Sequence, residues 1–148
     1  MKQVFVSITA IFCSMIALAQ TSDEEAIKQV VTNAYVEGIQ NNGSTDEIRK
    51  GFHPSFAMLR LSENEIKPYP IEEWIAAIEK RRAEAKHDAK VVRTDAKFLN
   101  VDVTGNAAVV KLELYKEGKR TFTDYLVLYK FSEGWRIVSK TYFRHPNT

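Results

Sequence analysis

The chain has a single cysteine, Cys13, and it lies among the first twenty residues. If those residues are a cleaved leader, the mature protein keeps no disulfide and no thiol nucleophile, and packing alone must hold it together. Histidine is scarce too. None of the three stands at metal-ligand spacing from another histidine or a carboxylate, which argues against a metal site. The six glycines fall singly at turns and helix ends, so no phosphate-cradling loop is present, and no serine sits in a nucleophile elbow. Neither sign of charge dominates. A formal +2 gives no strong pull toward nucleic acid or anionic lipid. Repeats, low-complexity tracts and linkers are absent as well, which predicts one domain.

A 45% hydrophobic and 11% aromatic composition fits a folded chain, and 148 residues suffice for one good core. Lys2, the largely apolar stretch 4–18 and the small residues of Ala17-Leu18-Ala19 before Gln20 read as a secretory signal peptide over 1–19. The stretch is short for a bilayer span, and Phe12 before Cys13 does not fit a lipoprotein signal. The expectation is a secreted or periplasmic protein, free of the membrane once the leader is removed, with its domain over 22–145.

Ser22 and Glu25 form a capping box, and Ile27, Val30, Val31, Ala34 and Gly38 then repeat as one apolar stripe, predicting a helix over 23–40. Ser44 and Glu47 open a second, short helix that Gly51 stops. Phe52-His53-Pro54 reads as a turn into an extended segment over 55–61, followed by the polar turn Ser62-Glu63-Asn64-Glu65. Two prolines confine Ile66-Lys67-Pro68-Tyr69-Pro70 to an edge strand. Ile71, Trp74, Ile75 and Ile78 line a third helix whose basic end, through Lys86-His87, suits the negative end of a helix dipole. From Lys90 onward, Thr104-Gly105-Asn106, Glu117-Gly118-Lys119 and Ser132-Glu133-Gly134 punctuate four strand-like runs, an antiparallel meander. Helices segregated from strands predict an α+β fold: a curved, mostly antiparallel sheet with three helices from the N-terminal half on its concave face.

The register of the last two strands is open. If Phe131 pairs with Trp135 across a three-residue turn, Asp124 faces Tyr142, Leu126 faces Lys140, and these polar groups cluster on one face. If Phe131 pairs with Arg136, Lys140, Tyr125 and Tyr142 line the interior while Asp124 points outward. A slip of one residue reverses every side chain, and a bulge does the same.

Three pieces together resemble the nuclear transport factor 2-like superfamily, the cystatin-like cone, and within it the lumazine-binding branch. They are the helix pair ending in Gly51-Phe52-His53-Pro54-Ser55-Phe56, the run Phe122-Thr123-Asp124-Tyr125-Leu126-Val127-Leu128-Tyr129-Lys130-Phe131, and the closing Gly134-Trp135-Arg136-Ile137-Val138-Ser139-Lys140. The resemblance implies a cone-shaped cavity between helices and sheet. It also implies a test for ketosteroid-isomerase-like chemistry, which needs a helix-one tyrosine, a carboxylate base and a late-strand acid. Tyr35 matches the tyrosine. Ala57-Met58-Leu59-Arg60-Leu61 holds no base, and alignment puts Val127 at the place of the acid, with Asp124 nearest.

Three functional readings follow. The first is a binding module holding a small aromatic or heterocyclic ligand by Tyr35, Trp74, Tyr125, Lys140 and Tyr142, with no cofactor. The second is an isomerase- or dehydratase-type enzyme using His53 or Asp124 as base with Tyr35 as donor. The third is an interaction protein, homodimeric through its sheet, with a filled cone. A cavity below about 300 Å³ would favour the third. An ionisable pair within hydrogen-bond reach inside the cavity would favour the second.

Overall fold

The computed structural model describes residues 23–85 and 92–146. The leader, the Ser22 cap, the Lys86-His87 end of the third helical segment and Lys90 lie outside them.

The first helix, α1, runs over 23–40 and changes character midway, from α-helical to π-helical over Val31–Gln40. A π-helix closes i→i+5 bonds, so residues four and five apart share a side. Val31 is thereby followed inward by Tyr35 and Val36, and Ala34 by Gly38 and Ile39, and all six are buried. The apolar stripe becomes broad enough to include a tyrosine that lies beside the α-helical stripe. The helix ends where the Asn41 N–H reaches the Val36 carbonyl at 3.0 Å. The Asn41 side chain then exchanges two hydrogen bonds, 2.7 and 3.0 Å, with the Thr94 backbone, fixing the start of the meander to the end of α1.

Helix α2, Thr45–Gly51, begins as its sequence predicts, with Ser44 Oγ accepting from the Asp46 and Glu47 amides. It lies against α1 with Gly51 facing Ala34, and a Cβ at Gly51 would overlap the Ala34 methyl. Strand β1, Phe52–Ser62, follows directly. Phe52-His53-Pro54, expected as a turn, is extended: the residue before a proline is pushed out of helical geometry, and Phe52 pairs with Ile137. Glu63 and Asn64, with φ of 53° and 64°, turn the chain into β2, Glu65–Pro70, whose prolines sit at the sheet edge. Helix α3, Ile71–Glu84, buries Ile71, Ile75 and Ile78 and leaves Trp74 half-buried.

Strands β3 (Thr94–Thr104), β4 (Ala107–Lys116), β5 (Lys119–Phe131) and β6 (Gly134–Arg144) complete a sheet of order β2-β1-β6-β5-β4-β3. All pairs are antiparallel except β1 with β6. The β5–β6 connection is neither of the loops expected. Phe131 pairs with Gly134 across only Ser132-Glu133, and Val138 then bulges between Ile137, opposite Leu128, and Ser139, opposite Val127. The bulge shifts the register by one, so Leu126 meets Lys140 and Asp124 meets Tyr142. Inward-facing Leu112, Leu114, Leu126, Leu128 and Ile137 form one core with Ile27, Val31, Phe52, Phe56 and Ile78.

Candidate functional site

Three buried polar side chains converge inside the cone. Tyr35, carried inward by the π-helical turns, donates its hydroxyl to Asp124 Oδ2 at 2.5 Å. Asp124 and Lys140 are diagonal neighbours on the concave face of β5 and β6, and Lys140 Nζ lies 3.0 Å from Asp124 Oδ1. That contact is an ion pair whose angle leaves Oδ1 without a hydrogen bond. Tyr35 and Asp124 are wholly enclosed, and Lys140 is 4% exposed.

Four rings surround the Lys140 ammonium. It stands 4.7 Å from the Tyr142 ring centre, 5.1 Å from Tyr35, 5.7 Å from Trp74 and 6.0 Å from Phe122. Ring faces attract a cation, by about 0.5 to 2 kcal/mol each depending on solvation. Burial nevertheless dominates. It pulls the Lys140 ammonium below its ordinary range, while the Asp124 carboxylate beside it opposes the shift. Burial also raises the Tyr35 hydroxyl well above its ordinary range, and the neighbouring Asp124 carboxylate adds to the rise. Tyr35 is therefore a neutral donor at any working pH.

Against this cluster lies a cavity of about 440 Å³ at the open end of the cone. Ile39, Gln40 and Asn42 of α1 and its C-terminal turn, Met58 of β1, Trp74 of α3, Phe122 of β5 and Tyr142 of β6 line it, with Arg81 and Lys116 as the charged ones among the described residues. Trp74, Phe122 and Tyr142 belong both to the cavity wall and to the cage about Lys140, so the amine sits behind that wall. A second hollow, about 360 Å³, lies among α1, α2 and the β5–β6 turn. It is bordered by the Asp23–Lys130 ion pair and Trp135; Tyr35, Asp124 and Lys140 line neither hollow, but rings that surround the Lys140 ammonium line only the first. The first hollow is the candidate site because three of its wall residues surround the Lys140 ammonium.

Of the residues singled out in the sequence, Tyr35, Trp74, Asp124, Lys140 and Tyr142 come together. Tyr125 does not: it alternates with Asp124 and Leu126, pairs with Thr141 and stands 40% exposed on the outer face, with Lys111 Nζ 5.5 Å from its ring. His53 does not either. Phe52 points inward, so His53 points away, with Nδ1 2.6 Å from Ser55 Oγ and its ring stacked on Phe131 at 4.7 Å. Val127, aligned with the acid of the ketosteroid-isomerase-like pattern, faces outward opposite Ser139, and Asp124 is the acid that faces in. The base of that pattern is missing from β1, as the sequence indicates. Phe122 and Met58 escaped the sequence reading. Phe122 was within reach, since it lies two residues before Asp124 on one strand face. Met58 was not, because the parallel pairing that sets it beside Lys140 joins distant parts of the chain.

Among the described residues, no three histidine, cysteine or acidic side chains gather where a metal ion could be held. The cavity offers aromatic side chains against which a flat ring can stack, and the buried cluster behind them can hold a proton at Asp124.

A family model described as "Putative lumazine-binding" matches residues 22–143. Similar solved structures include a nuclear transport factor 2-like protein of unknown function from Shewanella baltica, 23% identical, with a TM-score of 0.66 over 86% of this chain and 97% of that one. A domain with a cystatin-like fold from Nostoc punctiforme is 18% identical, with a TM-score of 0.62 over 86% of this chain and 80% of the other. At such identities these structures speak for the fold. A protein named Aldolase FrzH, from Cladobotryum, is 27% identical over 127 residues, 85% of this chain and 95% of its own.

Proposed function

The chain belongs to the Putative lumazine-binding family, and from that premise we propose that it binds a small, flat aromatic or heterocyclic molecule in the mouth of its cone. The observation that carries the reading is the wall shared by cavity and cage. Trp74, Phe122 and Tyr142 line the cavity and also surround the Lys140 cation. A volume near 440 Å³ lies within the range of small-molecule sites, which depend on apolar walls and a few placed polar groups. Among the described residues Arg81 and Lys116 are its charged ones and none is acidic, which favours a ligand with an anionic or electron-rich edge.

Lumazine is the probe the family description suggests. Titration should quench tryptophan fluorescence, and the quenching should survive Trp135→Phe and disappear in Trp74→Phe. Quenching unchanged by Trp74→Phe would place the ligand elsewhere, and none at millimolar probe would refute the reading.

A second reading, acid–base catalysis on the bound molecule, has its own support. Asp124 lies within reach of both Tyr35 and Lys140 inside the cone, a proton-transfer set. The relative named as an aldolase is consistent with it. In this reading Asp124 moves the proton and Tyr35 orients it; His53 takes no part. The proposal also includes export, on the strength of the apolar leader: protein recovered from periplasm or medium would begin at Gln20.

A further inference from the structure

We infer that Lys140 is an amine nucleophile, and that the molecule it takes is an aldehyde or ketone held as a Lys140 iminium. The inference rests on the cone-mouth reading above and names the reactive group of its ligand.

The argument starts from what a buried ion pair does for a fold. Apolar residues of similar volume usually serve stability as well or better, so a buried Lys–Asp pair is poorly explained by stability alone. The placement of this pair adds to that. Lys140 is not lodged in the middle of the core but behind a wall of three rings that also face a cavity. Of these rings Tyr142 is the most exposed, at 36%, and it must swing aside for a molecule in the cavity to meet Nζ. Removing a lysine from water destabilises its ammonium and makes the free amine accessible, the condition under which lysines condense with carbonyls. Asp124 supplies the rest. One carboxylate oxygen is anchored by Tyr35, and the other, lacking a hydrogen bond, faces the amine.

The step balances on these groups alone. Lys140 passes a proton to Asp124, leaving a free amine and a carboxylic acid. The amine lone pair attacks the carbonyl carbon while the C=O pair moves to oxygen, which takes the Asp124 proton. The nitrogen returns a proton to Asp124, giving a carbinolamine. Asp124 then protonates the carbinolamine hydroxyl, the C–O bond breaks, water leaves, and the nitrogen lone pair closes the C=N bond. Ammonium and carbonyl become iminium and water, Asp124 ends as carboxylate, and nothing is oxidised or reduced.

Reductive trapping tests this. The purified protein is treated at neutral pH with limiting benzaldehyde and cyanoborohydride, and the benzylated lysines are located by peptide mass spectrometry. Lys140 should be labelled about tenfold faster than exposed Lys67 and Lys97, because desolvation enlarges its free-amine fraction. Lumazine should slow Lys140 labelling and leave the others unchanged. Lys140→Arg keeps a cation beside Asp124 and cannot form the imine; folded by circular dichroism, it should show only the slow surface labelling. Labelling of Lys140 no faster than of Lys67 and Lys97 overturns the inference. If lumazine still quenches Trp74 in that case, the binding reading stands; if it does not, both fall.

Discussion

Tyr35 and Asp124 face each other across the cone, one from a helix and one from a strand eighty-nine positions later, and their hydrogen bond fixes what each can do. The hydroxyl is raised well above its ordinary 10.0 by burial and by the adjacent carboxylate. A group whose folded-state pKa is raised contributes stability below its unfolded pKa and loses it as pH climbs through the folded one. The native protein should therefore lose stability relative to Tyr35→Phe as pH rises above about 10. The lowered ammonium of Lys140 acts oppositely, favouring the fold as pH approaches its ordinary 10.5. Because Lys140 is present in both proteins, its part largely cancels in the difference. Urea midpoints between pH 8 and 11 check this, and a difference independent of pH would show that Tyr35 ionises as freely folded as unfolded. At this scale the sequence named most of the cluster. It could not give Tyr35 a partner, because nothing local links positions 35 and 124.

Among the elements, the contact between α1 and α2 sets how deeply Tyr35 reaches. Gly38 faces Ile48 and Gly51 faces Ala34, so the two helices approach through positions without a Cβ. Gly51→Ala has no room unless α2 moves, and overpacking of this kind destabilises by about 1 to 3 kcal/mol. Chemical denaturation should show that loss, whereas an unchanged midpoint would mean the helices part freely. The helices themselves were legible from caps and apolar spacing. The π geometry of α1 was not, because the apolar stripe fits an α-helix as it stands. The β6 bulge was foreseen as a possibility and not as a position. Val138 resembles its neighbours, and it is unpaired because a two-residue turn and an inward-facing Lys140 together demand one extra residue.

For the molecule as a whole, the sheet has two faces with different tasks. The concave face meets the helices; the outer face exposes Val109, Tyr125 and Tyr129 on adjacent strands β4 and β5. Apolar side chains gathered on one sheet face invite burial. We propose a second copy of the chain as the cover, since an isologous dimer lets one patch serve both sides. Light scattering should return twice the chain mass, falling to a single chain when Tyr125 and Tyr129 become lysine. A monomer at all concentrations would remove the dimer and leave the cone site untouched, because none of these side chains lines it.

The sequence by itself determined the class of fold, the order of its elements and most of the side chains that meet in the cone. Those follow from local rules: caps, periodicities of 3.6 and 2, and turn residues at fixed places. The tertiary structure alone decided that Tyr125 faces outward, that His53 stays apart, and that Asp124 stands between Tyr35 and Lys140. The physical reason is parity. In a strand every choice of face hangs on a register one residue wide, and that register was fixed by the closing of a short turn, the bulging of Val138 and the burial of a whole face at once.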